Sequence, residues 1–251
     1  MRTAADQQNG ALASAQWFNT THWSVVLAAG QNSTPHAQQA LEMLCATYWY
    51  PLYVYVRRRG YSPHDAQDLT QGFFARLLAR NDLAQVHPQK GKFRSFLLAA
   101  LQHFLADEWD KASAGKRGGA NATLSLDEPA AEQRYLQEPS QELSPEKIYD
   151  RRWALTVLER AQARLKGEFA ADAKTDLYEE LKIFLSGEKP EQTHAQVAAR
   201  LGKSADAVRC AVQRLRRRYG DLIRAEVANT VASPGQIEEE IRYLLAVIGE
   251  A

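Results

Sequence analysis

Apolar residues recur every three or four positions between residues 193 and 224, and Gly202 interrupts the pattern. Thr193 and Gln196 have the spacing of a capping box, in which each side chain satisfies an unpaired backbone N–H at the start of a helix. Gly202 can end that helix in a left-handed conformation, and Ser204 can cap the next one. The pattern therefore predicts two helices joined by a tight turn. The predicted buried positions of the second helix are Val208, Ala211, Val212, Leu215, Tyr219, Leu222 and Ile223.

The opposite face of this second predicted helix is rich in arginine. Five arginines lie within residues 209–218, and residues 189–224 hold nine Lys or Arg against three Asp or Glu. Such a local excess of positive charge attracts phosphate groups and makes binding depend on salt. A helix face that is merely solvated is the alternative interpretation. The order of cap, glycine turn, second cap and basic face favours a DNA-binding helix-turn-helix.

Helical spacing continues through most of the remaining chain, and strand patterns are confined to residues 25–27 and 53–56. Apolar positions predict helices that begin near Thr34 and Ser62, and a C-terminal helix over residues 237–248. The sequence therefore predicts an all-α fold.

Two features of these predicted helices concern their ends and faces. Pro51 should kink or split the first helix, because proline removes a backbone hydrogen bond, and Gly60 should end it. In the helix that follows, the residues predicted to face outward are Asp65, Asp68, Gln71 and Arg76, and those predicted to face inward are Ala66, Leu69, Phe73, Phe74, Leu77 and Leu78.

Residues 90–117 mix aromatic and cationic side chains. Aromatic rings can stack on unpaired bases while neighbouring cations contact phosphates. For Phe104 a place in the core is favoured, whereas core packing and nucleic-acid binding both stay open for residues 90–94 and 109–117. The candidates for binding in this segment are Lys90, Lys92, Arg94, Trp109, Lys111, Lys116 and Arg117.

The composition adds to this picture through its distribution. The chain has 31 Lys and Arg against 30 Asp and Glu, so its formal net charge is only +1. Residues 114–150 are rich in small, polar and acidic residues and predict a flexible linker. The 251 residues, of which 45% are hydrophobic, suffice for one large core or two small ones, and we expect two domains. We predict an N-terminal extension over 1–33 that packs on the first domain, helical domains over 34–113 and 151–225, and a C-terminal extension over 226–251.

Several classes of protein are not expected. No apolar run approaches the ~20 residues that cross a bilayer, and the N-terminus lacks the apolar core of a signal peptide, so we expect a cytoplasmic protein without a membrane partner. Cys45 and Cys210 are expected to be buried or half-buried thiols. They form neither a disulfide framework nor a metal-ligand cluster, and we expect no cofactor and no metal.

The order of these parts resembles the bacterial RNA polymerase sigma factors of the extracytoplasmic-function class, in the sigma-70-like family, over roughly residues 34–224. The stretch DAQDLTQGFF is similar to the family's motif DAxDLxQxxF, which lies on the helix that binds the polymerase clamp. The resemblance implies polymerase contacts at Asp65, Asp68, Gln71, Phe74 and Arg76.

The resemblance also implies that residues 34–113 form a region-two-like domain that reads the promoter −10 element. The family's Trp-Leu, Asn and Asp signature is here Phe96-Leu97, His103 and Asp107, and residues 108–111 differ from the family's paired arginines. Because of this difference, we expect DNA contacts at Lys111, Lys116 and Arg117 in place of the paired arginines. The implied −10 contacts are Lys90, Lys92, Arg94, His103, Trp109, Lys111, Lys116 and Arg117.

In the same way the resemblance makes residues 151–225 a region-four-like helix-turn-helix domain for the −35 element. Side chains near the start of the second helix can reach base edges, and cations farther along can contact phosphate or polymerase. The implied contacts begin at the cap Ser204, continue with Ala205, Asp206, Arg209 and Gln213 for base edges, and end with Arg214, Arg216, Arg217 and Arg218 for phosphate or polymerase.

The expected function is that of a sigma factor that binds core RNA polymerase and promoter DNA, with an anti-sigma factor or another regulatory protein as a further partner and with no small-molecule substrate. One alternative is a one-component regulator, in which the first domain senses a ligand and the helix-turn-helix binds an operator without polymerase. Another is an enzyme, either a nuclease using Asp65, Asp68 and Glu108 or a hydrolase using His103 and Asp107. No nucleophile elbow, phosphate loop or zinc spacing is present in the sequence, so no catalytic residue is expected.

Overall fold

The computed structural model describes residues 35–79, 92–113, 128–138, 143–186 and 192–249. Within them the chain forms nine α-helices, two short 3₁₀ helices and no β-strand, which confirms the predicted all-α class. None of the described helices combines the length and the apolar character needed to cross a membrane. The α-helices are α1 Pro35–Arg58, α2 Pro63–Ala79, α3 Phe93–Ser113, α4 Glu128–Leu136, α5 Pro145–Ala171, α6 Thr175–Leu181, α7 His194–Leu201, α8 Ala205–Ala228 and α9 Ile237–Gly249, and the 3₁₀ helices are Lys182–Phe184 and Pro234–Gln236.

The described residues divide into two compact units. Val157–Val227 form the second unit, and the described residues before and after this range form the first. Helix α9 therefore belongs to the first unit, although the sequence assigned residues 226–251 to a separate extension. The predicted extension over 1–33 lies outside the described residues.

An aromatic cluster forms the centre of the first unit. Trp153 of α5 stacks on Tyr48 of α1 with ring centroids 4.2 Å apart. Its ring also lies 6.1 Å from the ring of Phe93 in α3. All three side chains are buried. Because aromatic side chains bury large apolar areas, this cluster joins three helices of different parts of the chain.

Helix α1 continues through Pro51, so the predicted split does not occur. A proline inside a helix removes one backbone hydrogen bond. The side chains around it, Tyr48, Trp49 and Leu52, are all buried, and their packing offsets that loss. The predicted end of the helix is confirmed, since Gly60 follows in a left-handed conformation with φ +92°.

The segment predicted as a flexible linker is helical in its described parts, and the prediction is wrong there. Helix α4 lies within it, and α5 begins before its end. Glu132 of α4 accepts a hydrogen bond from Arg57 Nη2 at 2.8 Å and another from the Tyr53 hydroxyl at 2.5 Å. Ile148 of α5 is fully buried. Glu132, one of the acidic residues that made this segment look solvated, is thus a partner of a cation and a tyrosine on α1.

The second unit encloses an apolar core built by the end of α5, by α6, and by α7 and α8. The predicted apolar stripe of α8 faces this core. Val208, Val212, Leu215 and Leu222 are buried, and the flanking Ala211, Tyr219 and Ile223 pack against them.

Candidate nucleic-acid interface

The turn between α7 and α8 is fixed by local hydrogen bonds. The Thr193 N–H donates to Gln196 Oε1 at 2.8 Å, and the Gln196 N–H donates to Thr193 Oγ1 at 3.3 Å, which is the predicted capping box. Gly202 ends α7 with φ 62°, in the left-handed region that glycine adopts without strain. The Ala207 N–H then donates to Ser204 Oγ at 3.1 Å and caps α8. These local predictions are confirmed.

The face of α8 opposite its apolar stripe is exposed and mostly basic. Arg209 and Asp206 form an ion pair of 2.9 Å between side chains that are 59% and 82% exposed. An ion pair this exposed is worth little, so a nucleic acid can displace Asp206 from Arg209 at small cost. The exposed side chains on this face are Asp206, Arg209, Cys210, Gln213, Arg214 and Arg217.

Two other arginines of α8 are held at the edges of that face. Arg216 Nε donates to the Phe184 carbonyl at 2.9 Å. Arg218 donates to both carboxylate oxygens of Glu168, at 2.8 and 2.6 Å, and this hydrogen bonding raises the pKa of Arg218. The two guanidinium groups therefore brace α8 within the second unit.

Arg214 and Arg217 differ from these two arginines. Both are exposed, and within the described part of the chain neither makes a hydrogen bond or an ion pair. They are thus available to phosphate groups without breaking an internal contact.

The side chain of Cys210 is exposed on the basic face, which corrects the prediction of a buried or half-buried thiol. Its position follows from the helical period, because Cys210 lies one residue after Arg209 and two residues before the buried Val212. The side chain of Cys45 lies outside the described residues.

In the first unit, the residues assigned to polymerase binding lie on different sides of α2. Asp68 is 66% exposed, with its Oδ2 3.3 Å from His64 Nδ1. Asp65 is exposed and accepts a hydrogen bond from the Ser62 hydroxyl at 2.7 Å. Gln71 and Phe74 are buried, with exposed fractions of 9% and 1%. The expectation that Gln71 faces outward is wrong, because Gln71 lies one turn after the buried Gln67 and one turn before the buried Phe74 on the same face of α2.

Arg76 connects α2 to α3. Its Nη2 lies 2.5 Å from Asp107 Oδ2, and its guanidinium carbon lies 5.6 Å from the centre of the Phe104 ring. Phe104 is buried, as the sequence favoured. The pair places Asp107 of α3 beside α2 and gives Arg76 a contact inside the first unit.

The exposed side of α3 carries three of the other candidates. Trp109 is 68% exposed, His103 is exposed, and Lys111 forms an exposed ion pair of 2.5 Å with Glu108. Trp109 also lines an open cavity of about 600 Å³ beside α1. An exposed indole beside cations provides a surface on which an unpaired base can stack. The other residues that line this cavity are Arg59, Gly60, Tyr61, Gln102, Leu105 and Ala106.

Lys92 and Arg94 lie at the opposite end of α3 from Trp109 and Lys111, so the structure does not bring the two sets together. Both cations contact carboxylates of α9. This pairing was not predicted from the sequence, although three consecutive glutamates in the first turn of α9 are a visible signal for a basic partner. Lys90, Lys116 and Arg117 lie outside the described residues.

Among the described residues, no group of three or more His, Cys, Asp or Glu side chains is placed to hold a metal ion. Comparisons with family models, with curated proteins and with solved structures find nothing that matches this chain.

Proposed function

We propose that this chain is a sigma factor of the extracytoplasmic-function type, which binds core RNA polymerase and directs it to promoters through −10 and −35 elements. The observation that carries the proposal is the pair α7 and α8. A capped helix, a left-handed glycine turn and a second capped helix present an exposed basic face, and the apolar stripe on the opposite side packs into the core. This is the geometry with which a recognition helix enters the major groove of DNA.

In this proposal the second unit is the region-four-like domain. Arg209 lies in the first turns of α8, where side chains reach base edges, and guanidinium groups can bind guanine through two hydrogen bonds. Arg214 and Arg217 lie farther along the same exposed face and suit phosphate contacts.

In the same proposal, the first unit is the region-two-like domain. Asp65 and Asp68 are its exposed candidates for contacts with polymerase on α2. His103, Trp109 and Lys111 are the exposed candidates for the −10 element on α3.

The direct test is retention of bacterial core RNA polymerase by the immobilised full-length chain. We expect the unaltered chain to retain the polymerase and Asp68→Ala to weaken binding about tenfold, or about 1.4 kcal/mol. Asp68 is mostly exposed, so its removal should leave the fold intact. Asp110→Ala is the matched control, because Asp110 is exposed on α3 and its loss makes the same change in charge.

Equal retention of polymerase by all three chains would remove Asp68 from the interface. No retention by any of them, together with tight binding of a symmetric operator by the free chain, would instead support a one-component regulator. An apolar cavity of about 300 Å³ between α2 and α3, lined in part by Phe73, Leu77 and Phe96, is the observation that favours this second candidate. A regulator of this kind needs such a cavity for its ligand.

A second prediction separates base reading from charge on α8. We expect Arg209→Ala to cost about 1–3 kcal/mol on the preferred upstream promoter element and to relax discrimination at one base pair. Arg217→Ala should weaken binding to all sequences alike and lower the slope of log K against log salt by about 0.9. Transcription from a promoter library by each variant holoenzyme, at two salt concentrations, measures both effects. A uniform loss across promoters with Arg209→Ala would make Arg209 a phosphate contact and shift base reading to Asp206 and Gln213.

A further inference from the structure

Helix α9 places a carboxylate on the two cations at the start of α3. Glu240 Oε1 lies 2.7 Å from Arg94 Nε, and Glu240 Oε2 lies 2.7 Å from Lys92 Nζ. Glu239, the preceding residue, lies 3.7 Å from Lys92 Nζ at the surface. The Glu240 side chain is only 1% exposed, so its carboxylate covers the two cationic groups and does not lie beside them at the surface.

Arg94 is enclosed from two sides. Its Nη1 pairs with Asp150 of α5, and Asp150 also accepts a hydrogen bond from the Tyr243 hydroxyl of α9. The Arg94 guanidinium lies 4.3 Å from the centre of the Tyr243 ring. Burial opposes the charged form of Arg94, but the hydrogen bond to Glu240 and the charges of Asp150 and Glu240 raise the pKa of Arg94 above its ordinary value.

Most apolar side chains of α9 are half-buried or exposed. Glu240 and Leu244 are its buried side chains, whereas Tyr243 is 38% and Leu245 53% exposed. The segment that leads from α8 to α9 is also attached to α3, because the Phe93 N–H donates to the Thr230 carbonyl at 2.9 Å. A terminal helix with one fully buried apolar side chain depends on its ion pairs as well as on apolar packing, and such elements open locally at lower free energy than the core.

A nucleic acid can bind the same two cations, because its phosphate groups are anions like the Glu240 carboxylate. Guanidinium and ammonium groups bind carboxylate and phosphate oxygens with the same charge-assisted hydrogen bonds. A phosphate can therefore take the place of the Glu240 carboxylate on Lys92 and Arg94 once α9 moves away. Arg94 keeps Asp150 as a partner in that state, so the opened form retains one of its ion pairs.

We propose that α9 is a releasable cover, in which Glu240 occupies a phosphate-binding pair formed by Lys92 and Arg94 until DNA displaces it. This inference rests on the proposed function, because it takes DNA as the competing polyanion. It assigns a regulatory role to the C-terminal helix: Lys92 and Arg94 bind DNA only when α9 is released.

The test compares the binding of a fluorescent duplex oligonucleotide of random sequence by Glu240→Gln and by the unaltered full-length chain, at several salt concentrations. Release of Lys92 alone should steepen the slope of log K against log salt by about 0.9, and release of Lys92 and Arg94 together by about 1.8. Glu238→Gln is the matched control, because Glu238 lies on the exposed side of the same turn and the change in charge is identical. Its slope should equal that of the unaltered chain.

Two further measurements decide whether the steeper salt dependence comes from the release of Lys92 and Arg94. Hydrogen exchange of the α9 amides should be faster in Glu240→Gln than in the control, and Lys92→Gln added to Glu240→Gln should remove about 0.9 from the slope. Should Glu240→Gln fail to fold, Tyr243→Phe, which keeps the ring and removes the hydroxyl that donates to Asp150, serves in its place and should shift exchange and DNA affinity in the same direction.

Faster exchange of α9 with an unchanged slope would overturn the proposal, and so would a steeper slope that Lys92→Gln does not lower. In either case an effect of Arg217→Ala on the same oligonucleotide would show that the proposed function of α8 still holds. Loss of binding in all chains, with α9 exchange still raised by Glu240→Gln, would refute DNA as the competitor and point to an acidic protein partner.

Discussion

Replacing Arg160 and Arg164 together with methionine should lower the free energy of unfolding of the second unit by about 3–5 kcal/mol. Glu226→Gln should cost less, about 1–2 kcal/mol. The asymmetry follows from burial. The double substitution deprives a buried carboxylate of both guanidinium groups, whereas the single one leaves two arginines that can turn toward water.

The geometry of this cluster supports the order of the two effects. Arg160 Nε lies 2.9 Å from Glu226 Oε2, and Arg164 Nη1 lies 2.8 Å from Glu226 Oε1. The Glu226 side chain is 4% exposed, and those of Arg160 and Arg164 are 28% and 21% exposed. Glu226 also lies two residues before the end of α8, where the helix dipole disfavours an anion. The two arginines of α5 therefore make this carboxylate tolerable and hold the end of α8.

Urea unfolding followed by circular dichroism, with hydrogen exchange of α8 to locate the effect, measures the difference between the variants. Methionine is chosen because it keeps an apolar stem and a high helix propensity. Glu168→Ala is the control: its bidentate contact with Arg218 is exposed, with 40% and 51% of the side chains accessible, so it should cost at most about 1 kcal/mol. A larger loss for Glu226→Gln than for the double substitution would contradict the explanation from burial.

The features that the sequence predicted correctly have short-range causes. The box of Thr193 and Gln196, the left-handed turn at Gly202 and the cap at Ser204 each depend on residues at most five positions apart. The apolar stripe of α8 has the helical period itself. Such signals survive in a single sequence because tertiary contacts reinforce them and do not replace them.

The features that were missed depend on contacts between residues far apart in the chain. Glu132 of the predicted linker meets Arg57, 75 positions earlier, and Glu240 meets Arg94, 146 positions earlier. A charged residue looks solvated in a sequence, because nothing local shows that an opposite charge will be buried against it. The composition therefore predicted a flexible linker where α4 packs on α1. It also predicted an exposed cation at Arg94, which is buried in an ion pair with Glu240.

The inward position of Gln71 has a similar cause. The Gln71 side chain is polar, so the sequence predicts that it is exposed. In the structure it is buried, and its amide Nε2 has no hydrogen-bond partner among the described residues. The buried residues around it on α2, Thr70 and Phe74, set which side of the helix faces the core. Polarity alone therefore could not reveal that Gln71 is buried.

Trp153→Ala should destabilise the first unit by about 3–5 kcal/mol, the range for removing a fully buried large aromatic side chain. The indole stacks on Tyr48 at an interplanar angle of 10° and lies 6.0 Å from the Tyr149 ring, so its loss leaves a cavity that rigid neighbours cannot fill. The cavity would lie where α1, α3 and α5 meet. Opening it should also loosen the start of α3, which holds Lys92 and Arg94.

Trp153→Phe separates lost volume from lost hydrogen bonding. The Trp153 Nε1–H is buried and has no hydrogen-bond partner among the described residues. Phenylalanine keeps an aromatic ring against Tyr48 and removes a buried donor whose desolvation costs about 1–3 kcal/mol, which offsets part of the smaller packing contact. We expect Trp153→Phe to lie within about 1 kcal/mol of the unaltered chain when urea unfolding is followed by circular dichroism, since the substitutions alter tryptophan fluorescence. If Trp153→Phe is as destabilising as Trp153→Ala, the indole Nε1–H has a partner in solution and contributes a hydrogen bond to the core.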